Sequence, residues 1–224
     1  MARDMEFTYY WYKNVVGAYF EMPTVDARGL LPAHLQPVEP QHSRSIFAVT
    51  CFEFTDSLVG PYNEVVLGVV VPPLVQPGRP LPRAGFYPFS VGTTSAASRQ
   101  HAIERWHLPH YMKDLDITFT DKDGRMDVAV RDDGKLVLDL VVTAHEYHPM
   151  KNLYNCFMAD ADGHYKANIY MEAAHSEHED ERGSITLHEH AMTSGLTIAD
   201  VATAPFREEW YQVGMQTFEP LERL

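Results

Sequence analysis

The stretch ERWHLPHYMK at 104–113 gathers reactive side-chain types around one proline. His110 follows Pro109 directly, Tyr111 and Lys113 come just after, and Glu104 opens the run. An imidazole titrates near neutrality, so a histidine beside a carboxylate can move a proton between carbon and oxygen. A phenol such as Tyr111 can donate to the enolate oxygen that develops. A lysine amine would open another route: it condenses with a ketone, and the protonated imine accepts electrons as a bond to carbon breaks. A proline corner is also an ordinary way to end a helix, and taken alone this segment needs no more than that.

The chain has 12 histidines, and HEYH (145–148) and HEH (188–190) each bring two close together. Residues i and i+2 share a face of a strand, so His188 and His190 could converge on one ion. The spacing supplies no third ligand, and histidines scattered at strand ends account for both pairs. No metal and no cofactor is expected. Cys51 and Cys156 form no C-x-x-C pair and read as buried thiols in a reducing compartment. No phosphate-binding loop, nucleophile elbow or dinucleotide-binding glycine pattern occurs.

The elements that must position such residues are mostly strands. SIFAVTCFEF (45–54) and EVVLGVVV (64–71) are rich in β-branched and aromatic residues. RMDVAVRDDGKLVLDLVVTA (125–144) reads as a hairpin turning at Asp133-Gly134 with positive φ. Asp123-Gly124 and Asp162-Gly163 predict turns of the same chemistry. HYKANIYMEAA (164–174) and GSITLHEHAM (183–192) continue an antiparallel series, LDITFTD follows the corner as a strand, and GFYPFS (85–90) is a strand or loop near a barrel mouth. Helix signals are few: TVDARGLLPAHL (24–35), stopped by Pro32, and TTSAASRQHAIERW (93–106), capped by Thr93 or Thr94 and ended as the chain meets Pro109. HSEHEDERGS (175–184) reads as a solvated charged loop. Regular strands with Asp-Gly turns predict a mainly β (α+β) fold, an antiparallel barrel or double sheet with a few short helices, in one domain over 1–224.

Composition narrows the partners. The formal net charge is −13, which disfavours nucleic acid and anionic membrane. The N-terminal MARDMEFTYYWYKN lacks the apolar run of a signal peptide, and VVLGVVVPPLV (65–75) is broken by two prolines and too short to span a bilayer, so a cytoplasmic protein is expected.

Several of these motifs recur together elsewhere. Glu104, four residues, then Pro109 and two further positions resembles the acetoacetate decarboxylase family, where the Glu is followed after four residues by Pro-Lys-Lys. GPYNE (60–64) is similar to that family's Gly-x-Tyr-x-Glu, and GKL (134–136), HAM (190–192) and LLPAHLQP (30–37) follow in matching order. The matches run from about residue 9 to about residue 205. The resemblance implies a cone-like β-barrel, an oligomer, and a small-molecule carbonyl substrate. It also implies an active-site role for Glu64, with Tyr62 beside it, a structural or binding role for Glu104, and a loose match of Lys13 to a basic residue of the site.

His110 stands where the family has its imine-forming lysine, and Tyr111 where it has the adjacent lysine. Imidazole cannot form that imine. Lys113 lies three residues on, roughly 10 Å along an extended chain, so it reaches the same place only through a register shift. The reading is therefore a divergent lyase, cyclase or isomerase in which Glu64 and His110 carry proton transfers on a β-keto or related carbonyl compound, with Tyr111 nearby. An imine-forming decarboxylase using Lys113 and a non-catalytic small-molecule binding protein are the alternatives.

Overall fold

The structure is a computed structural model and describes residues 6–224; the first five residues of the N-terminal stretch lie outside the described residues. In chain order it forms β1 (Thr8–Pro23), α1 (Thr24–Leu30), β2 (Arg44–Asp56), β3 (Tyr62–Val71), β4 (Ala84–Thr93), α2 (Ala96–Trp106), β5 (Asp116–Asp121), β6 (Arg125–Asp132), β7 (Lys135–Thr143), β8 (His148–Asp160), β9 (Gly163–His178), β10 (Ser184–Leu187), β11 (Arg207–Phe218) and β12 (Glu222–Arg223). One sheet runs β11-β1-β2-β3-β4-β8-β9-β12, and β11 also pairs with β9. That extra pairing closes seven strands into a barrel with no free edge there to template aggregation. All its ladders are antiparallel except β4–β8, where residues 84–86 run parallel to 154–156.

The second sheet, β10-β7-β6-β5, packs on the barrel's outer wall. Strand alternation supplies the contact surface: Val65, Leu67 and Val69 of β3 point outward and meet Val128, Val130, Leu138 and Leu140. Each such side chain fully buried contributes roughly 1.5–3 kcal/mol. Glu208 stitches the layers together, its buried carboxylate accepting from the Thr143 N–H (2.6 Å), the Thr143 hydroxyl and the N–H groups of Arg182 and Gly183.

The inner face carries the second core: Tyr10, Tyr12, Val15, Phe52, Phe54, Tyr62, Trp106 and the inward residues of β8 and β9. A bulge makes this possible on β1. Tyr12 pairs with Phe54 but Asn14 with Glu53, so Lys13 is an extra residue. The bulge inverts the alternation. Tyr10 and Tyr12 therefore face inward before it, and Val15, Gly17 and Tyr19 after it. On the partner strand Val213 takes φ 47, and at Gly214 a Cβ would stand 2.2 Å from the Glu172 carbonyl oxygen, so only glycine fits.

The Asp133-Gly134 and Asp123-Gly124 turns form with positive φ at both residues. The 160–163 turn is built differently, the Asp160 carboxylate accepting the N–H groups of Asp162 and Gly163. Helix α2 is capped by Ser95, because the Thr93 hydroxyl is engaged with the Asn63 carbonyl and Ser98. It ends at His107 in the left-handed region (φ 54), before the proline acts. The charged segment 175–184 is loop only beyond residue 178. Its first four residues extend β9 because β11 pairs with them, which buries His175, Ser176 and His178. β10 stops at Leu187, and His190 instead caps the turn Ala191–Thr193. No described helix is long and apolar enough to cross a membrane.

Candidate active site in the barrel cavity

The barrel surrounds a cavity of about 120 Å³ that is partly open to solvent. Helix α2 plugs one end. Trp106 and Leu108 line the cavity there, and the Trp106 indole N–H donates to the Tyr10 hydroxyl at 2.8 Å, which also meets His101 Nε2 at 3.0 Å. Val15, Phe52, Val66, Cys156, Ile169 and Met171 make an apolar waist.

Glu64 projects into this space from β3, on the same face as Tyr62 and Val66. It is 8% exposed, and burial among apolar side chains pushes its carboxyl up to about 8. The Tyr62 ring sits 4.8 Å from Phe54 in the aromatic cluster near Tyr10, and burial holds both phenols protonated well above the usual range. Cys156 is likewise pushed up to about 12, so its thiol is not a poised nucleophile.

His110 is bridged to Val91, Val91 is paired with Val66, and Val66 is two residues from Glu64. Bridge partners share a face, so the imidazole leaves the wall on the inner side, one strand beyond Glu64's neighbour. It is half-buried, does not line the cavity, and makes no hydrogen bond to Glu64; both ring nitrogens are buried and unpartnered. Burial, with Arg99 adding repulsion, lowers it to about 4, so it is neutral near pH 7.

The other sequence candidates lie elsewhere. Tyr111 donates to Asp132 (2.6 Å) and stands edge-on to His190, on the side of the second sheet. Lys113 is exposed and paired with Asp132 and Asp133, 3.5 and 3.1 Å away. Glu104 is on the solvent face of α2 with Gln100, and Lys13 is an exposed bulge residue facing Glu53 at 3.5 Å. Neither paired-histidine motif assembles a site by itself: His190 is tied to the Met192 N–H and Asp132, and His148 is exposed. His145 does come near His178 and Asp180, but His178 Nε2 is already held by Thr143. All six lysines are among the described residues and none lines the cavity. The one fully buried lysine, Lys166, sits on the outer face of β9 against Asn168 and Glu222.

The end of the cavity away from α2 carries polar residues that the sequence reading did not single out. Glu209 is 3% exposed and accepts from the Tyr19 hydroxyl at 3.1 Å. Arg83 ion-pairs with Glu177 and stands 3.4 Å from Glu209. Tyr154 and Tyr211 share a hydrogen bond (2.5 Å) next to Asn152. Burial raises Glu209, with Arg83 opposing. Gly17 leaves room there: a Cβ would meet Glu209 and Thr50 only at 3.8–3.9 Å.

No family model and no curated protein matches the chain. Its fold is the acetoacetate decarboxylase-like fold, a closed barrel with a second sheet against it. Acetoacetate decarboxylase from Legionella pneumophila subsp. pneumophila str. Philadelphia 1 aligns with 96% of this chain and 86% of its own at TM-score 0.64 and 15% identity. The enduracididine biosynthesis enzyme MppR complexed with pyruvate aligns over 96% and 90% at TM-score 0.64 and 12% identity. An acetoacetate decarboxylase-like enzyme from Sphingomonas wittichii RW1 aligns over 97% and 92% at 0.62 and 13%.

Proposed function

We propose that this chain is an enzyme that transfers protons on a small, partly apolar carbonyl compound held in the barrel cavity, without forming an imine. The observation that carries the reading is Glu64: a carboxyl group on the wall of an apolar cavity, held near 8, with no lysine on that wall. Near pH 7 such a group is mostly protonated and can give its proton to a carbonyl oxygen. Its conjugate base is then strong enough to take a proton from the neighbouring carbon. His110, neutral and unpaired but outside the cavity lining, would act as partner base only by turning toward the cavity. Enolisation of this kind is the step shared by dehydration, aldol-type cyclisation and isomerisation. A keto-acid substrate has support in the fold: MppR is also described complexed with the condensation product of pyruvate and imidazole 4-carboxaldehyde. Lys113, exposed and paired with two aspartates, lends no support to the imine route.

The test is exchange of α-hydrogens in deuterium oxide, read by mass, for a panel of 2-oxo acids, 3-oxo acids and simple ketones. The wild type should exchange at least one class, Glu64→Gln should not, and His110→Gln should be slowed. Exchange that persists in Glu64→Gln removes the assignment. A compound bound by the wild type and returned unlabelled after long incubation identifies a binding protein instead.

A further inference from the structure

Two carboxylates oppose each other on the inner face at the polar end, because the β9–β11 ladder pairs Glu177 directly with Glu209. Like charges in that relation repel, and Glu209 is almost wholly removed from water. A cation belongs between them. Arg83 supplies one, and Arg207, paired with Glu179, attracts Glu177 and Glu209 as well; two guanidiniums against these three carboxylates leave a formal deficit of one positive charge. His175 lies two residues before Glu177 on the same face, 3% exposed, with its Nε2 buried and without a hydrogen-bond partner. Glu209 Oε1 is buried without a hydrogen bond as well. Ligand atoms of His175, Glu177 and Glu209 all lie within 4.8 Å of one another.

We propose that His175, Glu177 and Glu209 bind a divalent transition-metal ion at the polar end of the barrel cavity. One imidazole nitrogen and two carboxylate oxygens suit zinc, manganese or cobalt. Three ligands about 2.0–2.2 Å from one ion stand about 3.3–3.8 Å apart, so atoms now within 4.8 Å of one another need to close by up to about 1.5 Å, a side-chain adjustment. Neighbouring groups already orient them. The Tyr211 ring stacks on His175 at 4.1 Å, and Tyr19 holds the other oxygen of Glu209. Arg83 enters from the start of β4 with its side chain 28% exposed, so it can swing to solvent as the ion enters. Glu209 lines the cavity, so the ion's open positions would face a bound molecule. A proton held between the carboxyl groups is the competing way to relieve the repulsion.

The site is tested with metal alone, so the result is independent of the Glu64 reading. Chelator-stripped protein is titrated with Co²⁺, Zn²⁺ and Mn²⁺ by calorimetry, and the cobalt form is read by its visible absorption. One ion per chain is expected, with affinity at least tenfold lower in His175→Ala and Glu177→Gln, and higher in Arg83→Gln, where the competing cation is gone. Glu64→Gln should bind as the wild type does. No binding by either the wild type or Arg83→Gln overturns the proposal in favour of the shared proton. Binding that is unchanged in His175→Ala overturns it in favour of an ion held elsewhere.

Discussion

Glu64→Gln should make this protein more stable, and only above mildly acidic pH. Burial raises the Glu64 carboxyl from its ordinary 4.5 to about 8, so the folded state holds this proton more tightly than the unfolded chain does. Below pH 4.5 both states are protonated and the group is neutral in the balance. Between 4.5 and 8 the unfolded chain ionises while the folded one resists, so wild-type stability falls as pH rises, by about 1.4 kcal/mol per pH unit. The full interval corresponds to roughly 5 kcal/mol, and to about 3 kcal/mol at pH 7. Water entering the cavity screens the carboxylate, so these are upper figures and half of them is a working expectation. Even half is a large fraction of the 5–15 kcal/mol that typically separates folded from unfolded chains. Urea unfolding of both proteins at half-unit steps from pH 4.5 to 9 measures it, since every other titrating group is common to the two and cancels in the difference. The variant's advantage should be absent at pH 4.5, grow steadily and level off near 8. Parallel curves would mean that Glu64 ionises as it does in water, and the proton-transfer reading would lose its acid.

Three further outcomes follow from the same cavity. At Gly17 a Cβ meets Glu209 and Thr50 only at ordinary contact distance, so Gly17→Leu, branching from there into the space beside Glu209, should fold and lose ligand binding or turnover; unchanged binding in the folded variant would place the ligand elsewhere. Trp106→Ala should cost about 3–5 kcal/mol by urea unfolding because it empties a fully buried site, whereas Trp106→Phe should cost about 1 kcal/mol for the lost bond to Tyr10. Borohydride added with acetoacetate or pyruvate should leave the wild-type mass unchanged, since the cavity offers no lysine amine; an adduct on any lysine would restore the imine route.

What the sequence made legible was local. The two positive-φ Asp-Gly turns fix hairpins by themselves, and the runs at 45–54 and 64–71 carry their strand character in their β-branched and aromatic residues. β1 was not singled out as a strand, because its alternation is inverted at Lys13 and its exposed face carries Tyr9 and Trp11, aromatic like the buried face. β11 was missed for a related reason, since Val213 and Gly214 break its pattern. Barrel closure depends on β11 meeting β1 and β9 across long stretches of chain, and no local signal specifies that register.

The site divides along the same line. Glu64 was found through a motif, and its inward direction follows from alternation along an intact strand. Glu208-Glu209 offers no such motif: two adjacent acids in an unrecognised strand read as solvated charge. Alternation sends them to opposite faces. Glu208 turns outward to four hydrogen bonds that bind β7 and the 182–183 segment, while Glu209 turns inward with an oxygen left unbonded. The same pairing that hides this end of the cavity from a linear reading also brings His175 and Glu177 to it, because strand β9 extends into the charged segment only where β11 is there to pair with it. A buried acid whose hydrogen bonds are all made, like Glu208, is accounted for by the fold. Glu209, equally buried, has one oxygen that meets only the Arg83 guanidinium at 3.4 Å and makes no hydrogen bond, and that is where a proton or a further cation would complete it.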